Sequence, residues 1–99
     1  MSIEAVYHFG STAWESKPAS DVDVGVVVAD EAAARDLAAN LRTRRPSERV
    51  SFAREYGSGR RTERRATHLQ THWILLTKAE LATLPIGECV RGGVCLWKR

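Results

Sequence analysis

The chain predicts an α/β fold, a small mixed β-sheet with helices packed against it, and three observations carry that expectation. Apolar segments of strand length alternate with helical stretches in the order strand, helix, strand, helix, then strands. The valine-rich run over residues 22–29 is nearly continuous, the pattern of a strand buried on both faces. Downstream, Ala34, Leu37, Ala38 and Leu41 form an i, i+3, i+4, i+7 stripe, the core-facing side of an amphipathic helix. The 99 residues are enough for one domain, 1–99, and too few for two.

The elements follow in order. Residues 3–9 read as a first strand, with Ile3, Ala5, Tyr7 and Phe9 alternating against Glu4 and His8. A Gly10-Ser11 turn leads to a short helix with a Thr12-x-x-Glu15 capping box, which must end before Lys17-Pro18. The run 22–29 is the second strand, and Gly25 inside it marks a close approach of another element. Asp30 caps a helix from Glu31 to about Arg44, stopped by Pro46, with acidic residues leading and arginines closing it. Residues 50–53 form a short strand, and residues 55–67, lacking apolar periodicity, form a basic loop. Residues 68–77 alternate, placing Leu69, Thr71, Trp73 and Leu75 on one face and His68, Gln70, His72 and Ile74 on the other. Thr77-x-x-Glu80 opens a short helix ending before Pro85. A helical or turn segment at 86–91 and a closing strand at 94–97 complete the chain.

Bulk composition narrows the function classes. Hydrophobic residues make up 43% and charged residues 27%, ordinary for a soluble globular protein. No apolar run approaches the roughly 20 residues that span a bilayer. No basic region followed by an apolar stretch marks a signal peptide, so a cytoplasmic location is expected. Cys89 and Cys95 lack companion ligands at metal spacing and read as reduced, packed thiols. The net charge is +3, and arginines crowd the stretch from Arg44 to Arg65, which suits a phosphate-bearing or acidic partner or a solvated loop.

Chemistry concentrates between Phe9 and Val24. Asp21 and Asp23 alternate at the start of the second strand, so both carboxylates share one face. Carboxylates beside a Gly-Ser turn at a helix start suit a magnesium-bound triphosphate, because hard cations take oxygen ligands and helix N-termini bind phosphate. Gly10-Ser11, nine residues, then Asp21-Val22-Asp23-Val24 resembles the signature of the polymerase-beta-like nucleotidyltransferases, and of their minimal branch in particular. Ala13 and Ser20 sit where that branch tends to have them. Leu75-Leu76-Thr77-Lys78-Ala79-Glu80-Leu81 resembles the family's third catalytic strand and the capped turn after it. Gly93-Val94-Cys95-Leu96-Trp97 is similar to its closing strand. Only nine residues precede Gly10, where the family usually opens with a helix.

The resemblance implies a nucleotidyltransferase-like sheet in which three carboxylates hold two magnesium ions, or manganese, around ATP or another nucleoside triphosphate. Asp21 and Asp23 match the first two carboxylates as catalytic and metal-binding residues. Gly10 and Ser11 match the phosphate-holding turn, and Lys17 is a lesser candidate for phosphate contact. The third carboxylate belongs at Ile74 in this register, and no Asp or Glu occurs between Glu63 and Glu80. His72 on the same strand face, Glu55 or Glu63 from the basic loop, or a partner could stand in for it; magnesium prefers oxygen, so His72 is a poor substitute unless the metal is manganese. The resemblance further implies a protein acceptor, commonly a toxin with an HEPN-type RNase fold, and an antitoxin role. The alternatives are a degenerate nucleotidyltransferase-fold protein acting by partner binding, and a nucleic-acid-binding module using Arg54, Arg60, Arg61, Arg64 and Arg65. Aromatics do not interleave with these arginines in the sequence, so a base-stacking signature is absent.

Overall fold

The computed structural model of the chain describes residues 3–9, 21–56 and 70–99. Within them lie β1 (Ile3–Phe9), β2 (Asp21–Val28), α1 (Glu31–Arg44), β3 (Arg49–Phe52), α2 (Ala53–Tyr56), β4 (Gln70–Thr77), α3 (Lys78–Thr83), α4 (Pro85–Arg91) and β5 (Val94–Lys98). The strands join in one mixed sheet of order β3-β4-β2-β1-β5. β1 is antiparallel to β2 and β5, whereas β2, β4 and β3 run parallel to one another. The mixed α/β class expected from the pattern is therefore the class observed.

The valines of β2 explain why it sits in the middle. Val24 to Val28 are buried, and alternate residues join different cores. On one face Val24, Val26, Val28 and Leu75 pack against Ala34, Leu37 and Ala38 of α1. On the other, Ala5, Phe9, Val27, Ile74 and Leu76 meet Ala53, Ile86 and Val90. Each fully buried aliphatic side chain contributes about 1.5–3 kcal/mol, so a strand serving both cores is a main source of cohesion.

Local signals position the helices as expected. The Asp30 side chain accepts a hydrogen bond from the Ala33 amide at 2.8 Å, and Arg42 and Arg44 occupy the last turn of α1. At α3 the Thr77 hydroxyl accepts from the Glu80 amide at 3.2 Å, while the Glu80 carboxylate accepts from the Thr77 amide at 3.0 Å. Both capping donors of the Thr77-x-x-Glu80 box are thereby satisfied.

Three expectations are corrected. β3 spans Arg49–Phe52, because Ala53 turns into the single helical turn α2 and buries its methyl in the second core. The expected loop at 55–67 therefore starts later: Glu55 and Tyr56 belong to α2, and the rest of it lies outside the described residues. Cys89 and Cys95 are free, as expected, but exposed rather than packed. Cys89 faces away from the sheet on α4, and Cys95 lies on β5, none of whose residues is buried. None of the described helices is long and apolar enough to cross a membrane.

Candidate functional site

Strand alternation sets the geometry at the entrance of β2. In the parallel register Asp21 lies across from Gln70, Asp23 from His72, and Gly25 from Ile74. On the other side Phe9, the last described residue before Gly10, pairs with Asp23. The Asp23 carboxylate is about one-fifth exposed at the rim of the second core, with His72 beside it.

His72 is the polar side chain that is fully buried among the described residues, at 3% exposure. Its position follows from β4's alternation, which aligns it with Ile74 and Leu76 on the face opposite Trp73 and Leu75. Burying an imidazole without hydrogen bonds is costly, and the fold provides one at 2.9 Å between His72 Nε2 and Ser51 Oγ of β3. The other ring nitrogen, Nδ1, stands 3.7 Å from Asp23 Oδ1. Ser51, His72 and Asp23 therefore form a line across the three parallel strands β3, β4 and β2. The hydroxyl can accept from an Nε2–H or donate to a bare Nε2, so it accommodates either tautomer.

The structure thus brings Asp23 and His72 together and moves Ile74 elsewhere. Ile74 is fully buried in the apolar core and faces Gly25, one alternation step farther along β4 than the position beside Asp23. His72, not Ile74, occupies the place next to the second aspartate. The side chain of Asp21 and the residues Gly10, Ser11, Lys17 and Glu63 lie outside the described residues. Glu55 is exposed on α2. Among the described residues no group of three or more His, Cys, Asp and Glu side chains is gathered for a metal. Ser51 is the member that sequence reasoning missed. Its polar alternation with Arg49 on β3 was visible, but its neighbour on β4 was not.

A second feature lies at the opposite end of the same strands. Glu31, Ala34, Phe52, Arg54, Thr77 and Glu80 line an open cleft of about 240 Å³. Arg54 ion-pairs with Glu31 at 2.7 Å, and its guanidinium lies 5.8 Å from the centre of the Phe52 ring, with that of Arg42 at 5.9 Å. The Arg54 hydrogen bond and charge hold the Glu31 carboxyl below its usual range, with Arg35 adding to the effect. Thr77 and Glu80 are committed to capping α3, which leaves this cleft without a convergent set of uncommitted polar groups. This cleft is therefore not where Asp23, His72 and Ser51 meet.

A partly exposed carboxylate and a buried imidazole share one sheet face at the mouth of the central strands. No protein-family model, no curated protein and no solved structure matches the chain.

Proposed function

We propose that this chain is a nucleotidyltransferase-type protein. It would bind ATP or a related nucleoside triphosphate with a divalent cation and move a nucleotide, AMP from ATP, to a hydroxyl of a protein acceptor. The observation that carries the reading is the pairing of Phe9, which leads directly into Gly10-Ser11, with Asp23 in the middle of a mixed sheet. That pairing supports a site in which the Gly-Ser turn and the Asp-x-Asp strand act on one ligand. Asp21 and Asp23 would hold the cation. Gly10 and Ser11 would receive phosphate oxygens on backbone amides, and Lys17 would add charge. The cation, when bound, would neutralise triphosphate charge and lower the pKa of the attacking hydroxyl. An acceptor brought by a protein partner suits a chain with no second domain in its described residues, and an antitoxin acting on a neighbouring toxin in the cytoplasm belongs to the same reading.

A second reading is favoured by one observation: the β4 residue that stands beside Asp23 is His72, not a carboxylate. On that reading the chain keeps the fold and neutralises its partner by binding alone. Calorimetric titration of ATP with magnesium or manganese into wild type and Asp23→Asn separates the cases. Metal-dependent ATP binding lost in the variant supports a nucleotide site, and labelling of an acceptor by ATP then distinguishes transfer from binding. No binding at millimolar ATP overturns the nucleotide reading. A nucleic-acid module, the remaining alternative, would instead show affinity for RNA that falls steeply with salt.

A further inference from the structure

We propose that the apolar strip β5 adds to the sheet, centred on Trp97 and Val94, is the surface through which two copies of the chain pack face to face as a two-fold dimer. The inference stands apart from the nucleotide reading and uses none of its residues.

The register decides which face is involved. Trp97 lies across from Val6 and Val94 from His8, whereas Cys95 lies across from Tyr7. Residues opposite one another carry their side chains on the same face of a sheet. Val6 lies in turn across from Val26, and His8 from Val24, two residues of the core that α1 covers. The row Val26, Val6, Trp97 therefore leaves that core and runs out to the sheet edge with no polar residue to end it. Exposure rises along it from 3% at Val26 to 49% at Trp97. α1 packs over β2, β4 and β3, and every residue of β5 is exposed.

The large apolar side chains exposed among the described residues are Val94, Leu96 and Trp97, all on this one strand. Apolar residues scattered singly over a surface are ordinary, whereas a contiguous group marks a contact surface. The face of the strand suits that contact better than its outer edge. Pairing with β1 skips Leu96, which makes a bulge there, and Lys98 follows it. A bulge and a lysine both discourage an edge from accepting another strand.

Charge identifies the occupant. The chain carries a net +3, and Arg42 and Arg54 stand beside Phe52 of β3, at the opposite edge of the sheet. An acidic partner is drawn to that edge. Val6, Val94 and Trp97 bear no charge, so two like-charged copies meet there at the least electrostatic cost. A two-fold axis sets the same strip against itself, and the side chains of the two sheets interdigitate. The three exposed side chains leave on the order of 300 Å² of apolar surface on each copy. Two copies therefore cover less than the roughly 1,200 Å² of a standard interface, which makes the dimer weak and concentration-dependent.

The test is sedimentation of the full chain from about 1 to about 500 µM. Wild type should pass from monomer to dimer with a midpoint on the order of 10–100 µM, as suits a small interface. Trp97→Glu and Val94→Lys should each weaken association by at least about tenfold. Cys95→Ser, on the other face, should leave it unchanged. Both Trp97 and Val94 are about half exposed, so the variants should keep the circular dichroism of wild type; Trp97→Ala replaces either one that does not fold. A single monomeric species across the whole range overturns the proposal. So does a dimer that survives both substitutions. Open-ended assembly overturns it too, because contact about a two-fold axis closes at two copies.

Discussion

Glu48 shows how one side chain can tie three elements. It follows the last turn of α1, and its Oε1 accepts from Arg45 Nη1 at 2.7 Å while its Oε2 accepts from the Trp73 indole of β4 at 2.8 Å. The Arg45 hydrogen bond is the largest cause that holds the Glu48 carboxyl below its ordinary value of 4.5, with Trp73 assisting. A depressed folded-state value means the folded protein releases this proton more readily than the unfolded chain. The stabilisation is therefore complete above pH 4.5 and declines as the pH falls through the lower folded-state value. Glu48→Gln should cost about 1 kcal/mol at neutral pH, and the difference from wild type should shrink in acid. Urea midpoints measured for both proteins between neutral and acidic pH check this; a difference that stays constant across the range would contradict it. None of this was legible beforehand, because Glu48 and Trp73 meet only once β4 has joined the sheet.

Among the elements, β2 and α4 show what a missing β-carbon permits. A Cβ built at Gly25 would lie 2.8 Å and 3.2 Å from the two methyl carbons of Val90, a fully buried residue of α4. Valine has one short, stiff torsion, so its methyls cannot swing clear as the end of a long side chain would. Gly25→Ala should therefore destabilise the protein by about 1–3 kcal/mol through overpacking, measured by chemical denaturation. Gly25→Ala paired with Val90→Ala should recover part of that loss; no recovery would place the strain elsewhere. The Gly25 contact was legible as an interruption in a valine run. The caps at Asp30 and Thr77 were legible too, because capping chemistry is local and acts across three residues. What resisted reading was pairing between distant strands. Alternation put Asp23 and His72 each on a definite face of its strand, but nothing in the residues states the offset between β2 and β4. The resemblance pointed to Ile74, whereas the observed register pairs Ile74 with Gly25 and puts His72 across from Asp23. Ser51 escaped for the same reason.

The whole molecule is asymmetric in how it finishes its sheet. β4, β2 and β1 are interior, and the edge strand β5 leaves Val94, Leu96 and Trp97 about half exposed together with Cys95. The expectation of packed thiols failed because exposure depends on what covers an element, which a pattern along that element cannot report. With no cover, both thiols should react with a small disulfide reagent in the native state, before any denaturant is added. Thiol titration of folded protein should return both Cys89 and Cys95; protection of either would mean that the surface closes in solution. Phe52 lies beside the guanidinium groups of Arg42 and Arg54, contributed by three different elements.

The strand order carries a consequence for how the site comes into being. β4 follows β3 in the chain yet lies between β3 and β2 in the sheet, parallel to both. Folding must leave a slot between two earlier strands and fill it with a later one, and such non-local parallel pairing is intrinsically slow. Ser51, His72 and Asp23 occupy the two walls and the filling of that slot, so their line cannot exist in any partly assembled chain. Any ligand that needs all three strands at once would recognise the finished protein alone, adding to its lifetime by slowing unfolding while leaving the rate of assembly unchanged.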